Sequence, residues 1–201
     1  MSELIKSHTC NLQKSSSLLQ KCKNFKWFGL TLVPFSMRYA DQLTKLATTH
    51  LFHEGVKQQS STIALAYPEG IFLVRDCNSN IQDEIIGCHA FLPLSQYGLQ
   101  LIEFGLFDGA DIESDALASN FKDAIAIYWW TSIAPGKALK SVTLVNLILE
   151  RDDYSGKPIF AKAATQRGLL AMKGLGFKCI DKTPGKIGKI FSLNYLDEEI
   201  V

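Results

Sequence analysis

The sequence predicts a mixed α/β domain, and three observations carry that prediction. The stretch Ile125 to Ile133 (IAIYWWTSI) is rich in β-branched and aromatic residues, the composition of a buried central strand. Just after Pro135-Gly136 the apolar period becomes helical: Leu139, Val142, Val145 and Leu149 share one face, and Lys140, Thr143, Asn146 and Glu150 share the opposite one. Around these two segments the chain reads as strand, helix and several hairpin-linked strands, then strand, helix, strand, helix, strand.

Residues 1–24 are rich in serine, lysine and glutamine and read as a loosely held arm, with a short helix at Leu12 to Gln20. Residues 25–201 read as a single domain. Its first strand is Trp27 to Val33, where Phe28, Leu30 and Leu32 alternate with Gly29 and Thr31 and Pro34 ends the run. Met37 to Leu51 follows as a helix, with Ser36 as its N-cap and Tyr39, Leu43, Leu46 and Ala47 on one face. Strands are expected at Ile71 to Arg75, at Glu84 to Leu92 before Pro93, and at Leu99 to Phe107 before Asp108-Gly109. Asp76 to Asp83 has the composition of a hairpin connection. Ser114 to Asp123 is expected to be helical, with Leu117 and Phe121 four apart. After the central strand and its helix come a strand at Pro158 to Ala164 and a helix from Gln166 to Leu175, capped by Thr165 and ended by Gly176. Phe177 to Ile180 and Lys189 to Tyr195 then close as a hairpin about Pro184-Gly185.

The bulk composition narrows the function. Lysine and arginine total 21 against 20 aspartates and glutamates, so there is no electrostatic footprint for nucleic acid and no polybasic membrane patch. The longest apolar run, Ala124 to Trp130, falls far short of the roughly 20 residues that cross a bilayer. The five cysteines form no C-x-x-C pair, and the start of the chain lacks the apolar block of a signal peptide. A cytoplasmic protein is expected. His50 and His53-Glu54 lack the H-E-x-x-H spacing of zinc sites, so no metal is expected.

The chemistry concentrates between Ile125 and Phe177. A turn from a strand's carboxyl end into a helix's amino end exposes unpaired backbone N–H groups at the positive end of the helix dipole, which suits a pyrophosphate. Pro135-Gly136-Lys137-Ala138-Leu139-Lys140-Ser141 occupies that turn, and Lys137 or Lys140 could add charge. This region resembles the coenzyme A-binding core of the GNAT superfamily of N-acyltransferases, whose signature is Gln/Arg-x-x-Gly-x-Gly/Ala after the fourth strand. Gly136-Lys137-Ala138 fits the second half, with Ile133 where Gln or Arg is expected. A register shifted by two sets Ala138-Leu139-Lys140 against the glycines. Gly174-Leu175-Gly176-Phe177 resembles the family's Gly-Phe ending; Thr165 stands where asparagine is common, and Met172 where a catalytic tyrosine often sits.

The resemblance implies a splayed, mostly antiparallel mixed sheet with helices on both faces. Acetyl-CoA or coenzyme A would lie between the fourth and fifth strands. Backbone groups of Trp130, Thr131, Ser132 and Ile133 would pair with pantetheine, and backbone amides of Gly136, Lys137, Ala138, Leu139 and Lys140 would take the pyrophosphate. It implies direct attack of an amine, small-molecule or protein, on the thioester. Residues 95–123 are longer than the family's usual connection and read as an insertion that shapes acceptor choice.

Glu103, inside an apolar strand, is the candidate general base because apolar neighbours raise a carboxylate's pKa; the other reading is a strand residue facing water. Tyr128 is the candidate acid, and Tyr154 an alternative; both also read as structural. His89 reads as a satisfied core histidine, and Cys88 beside it points to the opposite face. Two alternatives to catalysis remain at this level. One is an inactive module of the same fold that binds acyl-CoA or a protein partner. The other is an interaction protein that forms a homodimer through the aromatic strand.

Overall fold

The computed structural model describes residues 28–51, 54–180 and 190–194. The expected helix in the arm and the Pro184-Gly185 turn lie outside the described residues. Seven strands form one sheet: β1 (Leu30–Pro34), β2 (Ile71–Asp76), β3 (Ile85–Leu94), β4 (Ala126–Ile133), β5 (Ile159–Lys162), β6 (Lys178–Cys179) and β7 (Ile190–Leu193). Their order across the sheet is β1-β2-β3-β4-β5-β7-β6, and every pairing is antiparallel except β4 with β5. The helices are α1 (Ala40–His50), α2 (Glu54–Ala66), α3 (Gln96–Glu103), α4 (Val145–Leu149) and α5 (Gln166–Gly174). A 3-10 helix, Gly136–Leu144, precedes α4.

Alternation along the strands supplies two apolar faces. Leu30, Leu32, Phe72, Val74, Phe91, Ile127, Trp129, Ile159 and Ala161 face one core, which Ala138, Leu144, Val145, Ile148, Met172 and Phe177 cover. On the opposite face Val33, Leu73, Cys88, Ala90 and Ile133 pack with Tyr39, Leu43 and Ala47. Further along that face Leu92, Leu94, Ala126, Tyr128 and Phe160 meet Ile63 of α2 and Leu99, Ile102 and Phe107. The result is the expected mixed, mostly antiparallel open sheet with helices on both faces. None of the described helices is long and apolar enough to cross a membrane.

Five segments differ from the sequence expectation. The first strand starts only at Leu30 and includes Pro34, because Phe28 and Gly29, expected within it, form a turn at φ +52° and +74°. Leu99 to Phe107 is not a strand: α3 runs from Gln96 to Glu103, because Ser95 caps it by accepting from the Gly98 N–H at 3.1 Å, and Leu99 and Ile102 then fall on one buried face. Gly98 lets the helix close on the Ala116 carbonyl, where a Cβ would collide. Ser114 to Asp123 is a single 3-10 turn, Ser114–Ala116, followed by Leu117 bridged to Leu94. Helix α2 was not anticipated, since its stretch has no wide apolar stripe. Pro93 lies inside β3 rather than after it. Its carbonyl accepts from the Ala118 N–H at 3.0 Å, so the amide hydrogen it lacks would have pointed to that same side, away from β4.

The helix after β4 begins as the Gly136–Leu144 3-10 helix, and this changes its buried face. Three residues per turn bring Ala138, Ser141 and Leu144 inward, while Leu139 is exposed. At its other end the second half matches expectation. Thr165 accepts from the Gly168 N–H at 3.0 Å, and Gly176 at φ +89° closes α5 with Phe177 N–H donating to Met172 O.

Candidate functional site

Strand β4 has different neighbours along its length. On one side it pairs with β3 throughout, with a bulge that leaves Trp130 without an opposite residue between the Ala90↔Thr131 and Phe91↔Trp129 pairs. On the other side it pairs with β5 only at Ile127, Tyr128 and Trp129. Beyond Trp129↔Ala161 the parallel partners separate, so Trp130, Thr131, Ser132 and Ile133 present a strand edge that β5 does not use. This is the splay that the resemblance implies, and it begins at the bulge.

The edge leads into the Gly136 loop. Gly136 has φ +52°, and a Cβ built on it would meet nothing within 4 Å, so the space before the loop is open. Ala138 is fully buried and packs onto β3: a Cβ on Gly87 would lie 3.1 Å from the Ala138 Cβ. Small size at residue 138 is therefore a packing requirement between loop and sheet. Ile133, at the Gln/Arg position of the signature, points into the core opposite Cys88.

Neither lysine of the loop stands alone. Lys137 Nζ holds both oxygens of Asp76, at 2.7 and 2.6 Å, and this bond together with the Asn78 N–H holds the Asp76 carboxyl below its ordinary range. Lys140 Nζ lies 4.5 Å from the centre of the Phe28 ring. Leu139 is exposed beside it.

The candidate proton-transfer residues fall elsewhere. Glu103 ends α3 and is exposed, so the apolar strand surroundings that motivated its choice as a base are absent. Tyr128 is buried on β4 against Phe107, ring centres 4.7 Å apart, and burial pushes its hydroxyl well above the ordinary phenol range. Tyr154 is buried between Phe91 and Phe121, with its hydroxyl likewise raised by burial. Met172 fills the core.

The two indoles of β4 part as strand alternation dictates. Trp129 joins the core under α4 and α5, against Phe91 and Phe177. Trp130 is half-buried on the other face, where its Nε1 donates to Gly109 O at 2.6 Å. Residues 104–113 thus lie against β4 at the bulge, and Ile112 N–H reaches Gln59 Oε1 of α2 at 3.5 Å.

Sequence reasoning gave no partners for His89, which is fully buried on β3. Its Nδ1 is 3.0 Å from Ser132 Oγ and its Nε2 is 2.9 Å from Ser141 Oγ. Burial pushes its pKa down to about 4, so the ring is neutral near pH 7. These partners lie 43 and 52 residues away, and no local pattern announces them.

No protein-family model and no curated protein matches the sequence. Solved structures do match the fold. An acetyltransferase of the GNAT family from Staphylococcus aureus Mu50 aligns over 81% of this chain and 97% of its own, at 10% identity and a TM-score of 0.50. A structure described as histone acetyltransferase HPA2 and related acetyltransferase, from Corynebacterium glutamicum, aligns over 82% and 94%, at 15% identity and a TM-score of 0.50. The loading GNATL domain of CurA from Lyngbya majuscula aligns over 81% and 96%, at 12% identity and a TM-score of 0.51. At such identities the likeness is one of architecture: the chain has the fold of the GNAT acetyltransferases.

Proposed function

We propose that the chain is an acyl-CoA-dependent N-acyltransferase, with acetyl-CoA as donor and an amine, small-molecule or protein, as acceptor. The observation that carries this reading is the separation of β4 from β5 after Trp129↔Ala161, which leaves a strand edge leading directly to the open Gly136 loop. Backbone groups of Trp130, Thr131, Ser132 and Ile133 would hold the pantetheine arm as a missing strand would, and the amides of Gly136 and Lys137 would take the pyrophosphate; the expected share of Ala138, Leu139 and Lys140 is corrected, because the Ala138 N–H already donates to Pro135 O at 2.9 Å and the two that follow lie inside the 3-10 helix. When bound, the cofactor supplies a thioester carbonyl already activated toward amines.

The chain's own contribution is placement. It would hold the thioester at the end of the splay and admit the amine from the face on which residues 104–113 lie against Trp130. Bringing the two reactants together in attacking geometry supplies most of the acceleration. Tyr128 is a poor acid for this step. Its hydroxyl is raised far above the roughly 8.5 of an ordinary thiol, so it would keep its proton while the thiolate departs. Glu103 is not enclosed, so deprotonation of the amine falls to solvent at the open cleft.

A second reading, a non-catalytic module that binds acyl-CoA or a protein partner, is favoured by one feature. Met172 occupies the usual position of the catalytic tyrosine and is spent on the core. Turnover separates the two readings. Thiol release from acetyl-CoA that rises with an added amine panel supports the enzyme; saturable coenzyme A binding without amine-stimulated release across that panel supports the module.

A further inference from the structure

The chain Ser132–His89–Ser141 has no task in the account above. His89 and Ser141 are fully buried, whereas Ser132 opens to solvent on the stretch of β4 that β5 leaves unpaired. The chain therefore runs from the open cleft, through the sheet's third strand, to the 3-10 helix that carries the Gly136 loop.

A neutral imidazole between two hydroxyls satisfies them in two ways. In one tautomer Ser132 donates to Nδ1 and Nε2–H donates to Ser141, so Ser132 turns a lone pair outward. In the other, Ser141 donates to Nε2 and Nδ1–H donates to Ser132, whose own hydrogen is then free to point outward. The outer face of Ser132 is an acceptor in the first state and a donor in the second.

An activated serine nucleophile is a different use of the same atoms, and the surroundings argue against it. Such a serine needs a base that can hold its proton as imidazolium, steadied by a carboxylate on the far nitrogen. Here the far nitrogen meets a neutral hydroxyl, and the ring is enclosed on its other side by the Trp129 indole, ring centres 5.9 Å apart.

We propose that the Ser132 hydroxyl is a side-chain contact for an amide-bearing ligand lying along the unpaired edge of β4. His89 is the positioning residue whose tautomer sets whether Ser132 donates or accepts, and Ser141 ties that choice to the loop at Gly136. The inference rests on the acyl-CoA reading, since the amides of a pantetheine arm are the ligand groups of that chemistry.

The test uses the full chain labelled with 15N-histidine, whose ring-nitrogen shifts report the tautomer. Of the four histidines, His89 is assigned by its absence in His89→Gln. Coenzyme A is titrated in, and binding is followed on the same samples by thermal shift. The expected result is that the Nδ1 and Nε2 signals of His89 move on saturation and the ring stays neutral. Ser132→Ala should lose that response and bind about 5- to 10-fold more weakly, the worth of one neutral hydrogen bond. Ser132→Thr, which keeps the hydroxyl, should retain both. Coenzyme A binding with the His89 signals unmoved, or with Ser132→Ala binding as tightly as wild type, overturns the relay and leaves the acyl-CoA reading standing. No coenzyme A binding to folded wild type overturns both.

Discussion

Gly87 of β3 lies beneath Ala138 of the loop, so that a Cβ on Gly87 would stand 3.1 Å from the Ala138 Cβ and 2.5 Å from the Ile133 carbonyl oxygen. The loop is seated directly on the sheet, and its height is set by the absence of one methyl group. Gly87→Ala is expected to push the loop and the end of β4 outward. Because one of the contacts is backbone, relief needs main-chain movement, at about 1–3 kcal/mol. Urea unfolding should register that loss, and the variant should bind coenzyme A more weakly even where it is fully folded.

The ion pair between Lys137 and Asp76 places a carboxylate beside the proposed pyrophosphate site. A ligand phosphate must share Lys137 with Asp76 and lie close to a like charge. Asp76→Asn removes the competitor and keeps the shape. It is expected to tighten coenzyme A binding several-fold in calorimetric titration, most clearly at low salt, where exposed charges are least screened. Lys137→Ala is expected to weaken it.

Burial of His89 has a pH consequence. Its folded pKa is about 4, against about 6.5 for an unperturbed histidine, so between these values the unfolded chain takes up a proton that the folded chain refuses. The contribution is fully present above about pH 6.5 and is lost as pH falls toward 4. Over that window denaturation should show roughly 3 kcal/mol of declining stability from this group. His89→Gln, which cannot titrate, should start less stable and flatten that part of the profile.

Gly176 at φ +89° ends α5 with the two backbone bonds of a left-handed cap, Gly176 N–H to Lys173 O and Phe177 N–H to Met172 O, each at 3.1 Å or less. Gly176→Ala is expected to cost about 1 kcal/mol in thermal unfolding. Coenzyme A affinity should be unchanged, because the cap holds the helix rather than the cleft.

Much of the frame was readable because it is written in local pattern. IAIYWWTSI can scarcely be anything but a buried strand, and Thr165 and Gly176 bracket α5 in the chain itself. Leu99 to Phe107 misled because its apolar residues fit period two as well as a helical face; the choice was made by the Ser95 cap and by the contact of Gly98 with Ala116. The segment after Gly136 was helical as expected but turned a different face inward, since its first turns repeat every three residues. That rotation brings Ser141 under His89, so the relay could not have been read from a 3.6-residue wheel. The β4 bulge at Trp130 and the pairing of Lys137 with Asp76 are long-range, and single-sequence periodicity carries no trace of either.

The central claim is that the β4 edge and the Gly136 loop bind acyl-CoA, and thermal-shift titration tests it most directly. Wild type and Gly136→Glu are titrated with acetyl-CoA and with coenzyme A. A ligand that binds only the folded state stabilises it by about 2.7 kcal/mol at a hundredfold excess over its dissociation constant. The account predicts a saturable rise in melting temperature for wild type and its loss in a folded Gly136→Glu, where a carboxylate occupies the open space before the loop. An unchanged melting temperature in well-folded wild type at millimolar ligand would contradict it.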